Sequence, residues 1–480
     1  MNHVSVAIQQ AVDEDRVNPP PPSLEVLQLE VDGFEKAIKV MEQQGLKGEQ
    51  TAMAWMEVAT RKDQYRIASA KSYENTSDAN RREKAALVAT FTALHGFEWN
   101  RKFGWMGLLK SVSKPEVAVF EASASLFEGV ETTRLMQHSL VTGVKLPGVG
   151  ARGVLPKQLG DLETLRTLNL NWNLIHGALP KEVRSLQSLE TLQLAGNMLT
   201  GALDKDVLSE LTNLKLLDLS NNELSGAIPD CFHGLTSLQQ LNLANNCLAG
   251  EIPRSLSSCV KLEVLKLQQN SLCGEILAAT FSTLGKLKDV NLSQNKFTGP
   301  SLGSFQACTS LERLQLQDNE ITGRFPASLT GLTRLQILYI NKNQMGGIVP
   351  AEICSLTSLR RLNISSNAFR GILPENIGHL VNLQCFLAQD NAIIGPLPKS
   401  LSLLPRLRDF AIVKNYPSVH MDLPRGFTRN AFERVHAAGP AMGLNNVTWD
   451  LEDLYGQADA IPSDPFELFE RRLHIQTGRK

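Results

Sequence analysis

Between Leu165 and Asn415 one pattern is written eleven times, Leu-x-x-Leu-x-Leu-x-x-Asn-x-Leu-x-Gly with small slips. Its opening residues are Leu165, Leu189, Leu214, Leu238, Leu262, Leu287, Leu311, Leu335, Leu359, Leu383 and Leu407, so the step is 24 residues, or 25 after Leu189 and Leu262. A fixed period of this size marks a solenoid, in which no unit can bury its apolar side alone and each must stack on its neighbours.

The letters of one unit say how it folds. Leu311, Leu314 and Leu316 alternate with polar residues as a short strand does, which sends the leucines inward and leaves Arg313, Gln315 and Gln317 outside. Eight residues after each opening leucine stands an asparagine: Asn173, Asn197, Asn222, Asn246, Asn270, Asn295, Asn319, Asn343, Asn367, Asn391 and Asn415. An amide recurring at a core-side position must have its hydrogen bonds met, and the turning backbone of its own and adjacent coils can supply them. Four residues later ten units carry a glycine, from Gly177 to Gly395, suited to a positive φ or a close backbone approach. Val419 holds that place in the eleventh, where the regular array is expected to end.

These residues resemble the leucine-rich repeat family, in its plant receptor type. Ile228-Pro229, Ile252-Pro253, Val349-Pro350 and Leu373-Pro374 carry that type's ending. The resemblance covers roughly 280 residues, by the count of repeats, and implies an α/β solenoid: a right-handed, curved superhelix with a parallel sheet on the concave face and turns or short helices on the convex one. Asp204, Leu277 and Leu302 replace the proline in three units, which affects the expected local geometry of the convex side only.

Charge and cysteine content narrow the function. A formal net charge of -1 gives no global field to draw the chain to nucleic acid or anionic lipid, so neither partner is expected. No run of 18 apolar residues is present to cross a bilayer. The seven cysteines, Cys231, Cys247, Cys259, Cys273, Cys308, Cys354 and Cys385, all lie inside the repeats and form no Cys-x-x-Cys pair. An odd number without metal-like spacing reads as buried thiols in a reducing compartment, with no metal or cofactor expected. Met1 to Arg16 has no apolar core of a secretory signal, so a cytoplasmic location is expected. The other reading is a secreted or membrane-tethered receptor or inhibitor whose signal segment precedes this sequence.

Outside the array the chain divides further. Residues 1–22 end in four prolines and read as a disordered lead. Residues 23–78 read as a helical hairpin, since Leu24, Leu27, Val31, Phe34, Ile38 and Met41 follow a heptad seam. That seam fits an intramolecular hairpin, and it also fits self-association through residues 23–74. Residues 79–140 resemble the helical N-terminal cap of such arrays, with a helix from Arg82, the tryptophans Trp99 and Trp105, an insertion between about 107 and 126, and Phe127 to Val130 as the end of the cap. The array proper runs over 141–424 with a degenerate opening coil from Val141 to Pro156, and 425–480 reads as a C-terminal cap and tail.

Since the leucines are committed to the core, binding belongs to the outward strand positions. The richest are Lys266, Asp289, Asn291, Arg313, Gln315, Asp318, Tyr339, Lys342 and Arg361 in the middle coils, with Arg313, Tyr339 and Arg361 on three successive strands. Arginine and tyrosine are enriched at binding hot spots; a solvated polar face with weak cross-strand pairs reads the same letters. Trp172 is a weaker candidate. Gly148-Val149-Gly150-Ala151-Arg152-Gly153 spells a dinucleotide-binding turn but lacks the βαβ context, and neither His-Arg-Asp nor Asp-Phe-Gly of a kinase occurs. The expected function is a non-catalytic scaffold in intracellular signalling that recognises a protein or peptide on the concave sheet.

Overall fold

The computed structural model describes residues 130–135, 138–412 and 414–415, together with Glu83, Ala86, Leu87, Ala89, Thr90, Ala93 and Leu94. The expected lead, helical hairpin, insertion, Trp99, Trp105 and C-terminal cap lie outside the described residues. The chain divides into two compact units, residues 1–200 and 201–480.

In the first unit the described positions from Glu83 to Ala93 are helical, and Ala86, Leu87, Ala89 and Leu94 are buried. Glu83 is only 3% exposed, yet it is ionisable, so burial requires partners for its carboxylate. It has them: Oε2 accepts from Val141 N at 2.8 Å and Oε1 from Thr164 Oγ1 at 2.7 Å. Leu94 O accepts from Arg152 N at 3.1 Å, so both ends of this stretch are tied to the opening coils. The structure corrects one expectation here. Val130 does not end a helical cap but begins a strand, Val130–Leu135, paired antiparallel with His138–Lys145. That strand covers an edge that the parallel ladder would otherwise leave open. His138–Lys145 then pairs parallel with Thr167–Asn169, and Thr167–Asn169 with Thr191–Gln193.

In the second unit each coil contributes a three-residue strand to one parallel sheet: Leu216–Asp218, Gln240–Asn242, Val264–Lys266, Asp289–Asn291, Arg313–Gln315, Ile337–Tyr339, Arg361–Asn363, Cys385–Leu387 and Asp409–Ala411. Every described pair is in register, for example Gln240 with Val264 and Arg313 with Ile337, because one coil equals one period. The central residue of each strand is buried leucine, valine or phenylalanine, and its two neighbours face outward. A second set of short parallel strands follows the asparagines, Glu223–Ala227, Cys247–Gly250, Ser271–Glu275 and Lys296–Thr298, with Gly346–Gly347, Ala368–Gly371 and Ala392–Ile393 further on.

The return segments show why the period slips twice. Most coils close with a 3₁₀ turn that starts after a proline, as in Arg254–Ser258 after Pro253 and Glu375–His379 after Pro374. The two 25-residue coils instead close with an α-turn, Lys205–Leu208 and Ala278–Phe281, where Asp204 and Leu277 stand for the proline. An α-turn takes up the extra residue because it winds more residues into each turn than a 3₁₀ turn does. In the return segments Phe281 packs on Phe305 with ring centroids 4.7 Å apart, and in the main sheet Phe386 packs on Phe410 at 5.8 Å in the place of the strand leucines.

The asparagines join coil to coil. Asn319 Nδ2 donates to Leu292 O of the preceding coil at 3.0 Å and to Leu316 O of its own at 3.0 Å, while Oδ1 accepts from Phe297 N at 3.0 Å. The same three bonds recur at Asn173 in the first unit and at Asn270, Asn343 and Asn391 in the second. To turn the amide inward the residue before it adopts a left-handed backbone: Asn221, Asn245, Gln269, Gln294, Asp318, Lys342, Ser366, Asp390 and Lys414 have φ between 50° and 59°. Glycine is required at Gly323, where φ is 88° and a Cβ would lie 2.9 Å from Pro300 Cβ.

Replacing Asn319 with alanine leaves two carbonyls and one amide of the turn without their partner. The expected cost is roughly 1–3 kcal/mol, read as a lower urea midpoint, whereas Glu320→Ala at the exposed next position should cost under about 0.5 kcal/mol. Equal midpoints for the two variants would remove the ladder from the account.

Candidate functional site

All nine residues singled out from the sequence lie on the main sheet of the second unit or at its strand ends. The register puts Asp289, Arg313 and Arg361 in one row with Ile337 between the two arginines, and Asn291, Gln315 and Tyr339 in the next. Asp318 and Lys342 belong to the left-handed positions at the strand ends.

The structure then separates these nine into groups that behave differently. Asp289 is almost buried, and its Oδ2 holds Arg313 Nη2 at 2.9 Å and Lys266 Nζ at 3.8 Å. That contact raises the Arg313 pKa above its ordinary value, chiefly through the hydrogen bond from the guanidinium to the carboxylate. Asp289 Oδ1 has no hydrogen-bond partner among the described residues. Lys342 Nζ lies 3.0 Å from Asp318 Oδ1, and at the position just after the opening leucines Lys288 Nζ lies 2.7 Å from Glu263 Oε2. In these coils, then, cation and anion neutralise one another across adjacent strands. Asn291 has its amide oxygen engaged by Ser293 N at 3.1 Å and Ser293 Oγ at 2.7 Å, which fixes the turn.

The C-terminal coils differ. Arg361 is exposed and lies beside Tyr339, whose hydroxyl is the largest influence raising its pKa. Beside them lie Ile337, Cys385 and Leu387, all half-buried, and the exposed arginines Arg360 and Arg408. Sequence reasoning passed over Arg360 and Arg408 because they stand one residue after the opening leucine, just before the paired strand; basic residues recurring at that position were the available signal. Leu387 and Ile337 were passed over because an aliphatic residue at an outward position looks like one more core residue.

Trp172 is 64% exposed with φ 59°, and its ring lies over Gly196, where a Cβ would meet Trp172 Cε3. The cysteines depart from the expectation of uniform burial. Cys231, Cys259, Cys308 and Cys354 are buried and Cys385 is intermediate, but Cys247 and Cys273 are exposed because both occupy outward positions of second strands. Among the described residues no three His, Cys, Asp or Glu side chains gather as a metal site, and no helix is long and apolar enough to cross a membrane.

Comparison with known proteins agrees with this geometry. Residues 149–346 match the family model of a leucine-rich repeat region and residues 358–380 that of a leucine-rich repeat. No curated protein matches in sequence. Among solved structures, the ectodomain of the Arabidopsis receptor kinase HAESA with an N-terminally extended IDA peptide hormone is 28% identical over 73% of this chain and 56% of that one, with a TM-score of 0.60. The same Arabidopsis receptor with the hormone IDA and the co-receptor SERK1 is 26% identical over 74% of this chain and 60% of that one, also at 0.60. A plant ice-binding protein is 25% identical over 66% of this chain and 96% of that one, at 0.53. The chain carries a leucine-rich repeat array whose repeats are of the plant receptor type. It spans about half the length of the receptor ectodomains it matches, from 39% to 60% of theirs.

Burial pushes the thiols of Cys231 and Cys354 up to about 11 and those of Cys259 and Cys308 up to about 12, so little thiolate is available at them near neutral pH. Timed alkylation read by peptide mass spectrometry is expected to label Cys247 and Cys273 first and these four only after unfolding. Early labelling of Cys308 would contradict the packing described.

Proposed function

We propose that the main sheet of the array recognises an extended protein or peptide segment, and that it does so as a non-catalytic scaffold. The observation that carries this reading is the C-terminal face itself. Tyr339 rests against Arg361, half-buried aliphatic residues flank them, and Arg360 and Arg408 stand exposed at the side. The strands are already paired on both sides, so the face can offer a partner side chains but no free sheet edge. A tyrosine beside an arginine puts an aromatic surface next to a planar cation, a combination suited to a binding hot spot. Likeness to receptor ectodomains solved with peptide hormones supports a protein or peptide as the ligand class.

Of the nine residues, Tyr339 and Arg361 are assigned direct contact, while Lys266, Asp289 and Arg313 hold one another and shape the floor beside them. We place the protein in a reducing compartment of the cell, in signalling, on the support of seven cysteines that are all free thiols. The second reading, a secreted or membrane-tethered ectodomain, is favoured by the likeness to extracellular receptors. Glycan on Asn446 or a disulfide among the seven cysteines of protein taken from its source cells would decide for it.

Peptides selected from a displayed library on the full chain test the site. Tyr339→Ala combined with Arg361→Glu should weaken the selected peptides by about tenfold or more, since two hot-spot truncations cost over about 1 kcal/mol each, while the urea midpoint stays close to that of the parent. Unchanged affinity would move recognition away from this face.

A further inference from the structure

The cations on the main sheet fall into two populations. Lys266, Lys288, Arg313 and Lys342 each have a carboxylate partner on a neighbouring coil. Arg360, Arg361 and Arg408 have no ion-pair partner among the described residues, although they lie within three successive coils, the first two on one coil and Arg408 two coils further on. Between them run the half-buried Ile337, Cys385 and Leu387. Asp409, across Cys385 in the same row, acts on Arg361 from a distance without pairing with it. An exposed surface that joins apolar groups to more guanidinium groups than carboxylates is matched by a segment carrying aromatic side chains among carboxylates.

The chain contains such a segment. From Gly443 to Glu470 there are seven acidic residues, Asp450, Glu452, Asp453, Asp459, Asp464, Glu467 and Glu470, and no lysine, arginine or histidine. Trp449, Tyr455, Phe466 and Phe469 are interspersed with them. A charge of -7 in a chain whose total is -1 leaves the remainder at +6. The segment begins 28 residues after Asn415, the last described residue of the array. At up to ~3.3 Å per residue that connection can span far more than the roughly 15–20 Å across the strands concerned.

We propose that residues 443–470 dock on the C-terminal end of the chain's own main sheet, carboxylates against Arg360, Arg361 and Arg408 and aromatic rings against Ile337 and Leu387, and so compete with the partner. This regulation rests on the partner-binding reading above. Tethering raises the local concentration of the segment to the millimolar range, so contacts of modest strength keep the face covered until a tighter ligand displaces them. Because the pairs are exposed at their edges, the closure weakens as salt rises.

Cys385 lies in the middle of this face and serves as its own reporter, and the exposed Cys247 and Cys273 on second strands serve as internal controls. In the full-length chain at low salt, Asp450→Lys with Glu452→Lys and Asp453→Lys should speed alkylation of Cys385 by about fivefold or more, leaving Cys247 and Cys273 unchanged. Adding Arg360→Glu with Arg408→Glu to that variant should restore the slow rate by reversing both charges. In 1 M salt, where screening acts over ~3 Å, native and variant rates should converge. Equal rates for native and variant at low salt overturn the proposal and leave the face open for a separate acidic partner. Protection that disappears on dilution overturns it too, by assigning the cover to a second copy. Either failure leaves the peptide-affinity test of Tyr339 and Arg361 standing, because that test reads a different variant and a different ligand.

Discussion

Everything in this molecule depends on one hydrogen-bonded amide per coil. The strand leucines supply most of the burial, but they do not by themselves fix how one coil sits on the next. The asparagine does: within each unit, as at Asn295 and Asn319, Nδ2 reaches a carbonyl 27 or 28 residues back and Oδ1 a backbone amide 22 or 23 residues back. Leaving such groups unmet inside the stack would cost about 1–3 kcal/mol apiece. The interaction also sets a backbone constraint, the left-handed residue that precedes each amide, and places there residues such as Lys342 and Asp318 that pair with each other across coils.

With the interior committed in this way, function is left to the outward side chains of three-residue strands. Their arrangement is uneven. The middle of the second unit is electrostatically closed, with Asp289 holding both Arg313 and Lys266 from a nearly buried position. The C-terminal end is open, with three arginines lacking ion-pair partners among the described residues and a tyrosine among aliphatic groups. Exposed pairs such as Lys342 with Asp318 add little stability, so the closed region shapes the surface more than it strengthens the fold. Recognition belongs where charge and apolar surface are still unspent.

Much of the fold was legible in the sequence because it follows from spacing alone. The 24-residue step implies registered parallel strands, and the inward asparagine implies backbone partners on its own and adjacent coils, both of which the structure contains. The two 25-residue steps marked the coils whose return segment is an α-turn, although their letters alone did not say so. Less could be read where the outcome depends on residues far apart in the chain. Glu83 is buried against Val141 and Thr164, a meeting that no local pattern announces. The strand Val130–Leu135 takes its place from the open ladder edge beside it, although its β-branched Val130, Thr132 and Thr133 suit a strand. For the site, the pattern put all nine residues on the main sheet or at its strand ends but could not say which charges cancel, since the pairing of a nearly buried Asp289 with Lys266 and Arg313 depends on residues one coil away on either side.

A structure of the full chain in complex with a selected peptide ligand tests the account most directly. It should show the ligand lying across the strands Ile337–Tyr339, Arg361–Asn363 and Cys385–Leu387, in contact with Tyr339 and Arg361, with the asparagine bonds of those coils intact. A ligand seated instead on the second strands, along Glu223–Ala227, Cys247–Gly250 and Ser271–Glu275, would contradict it.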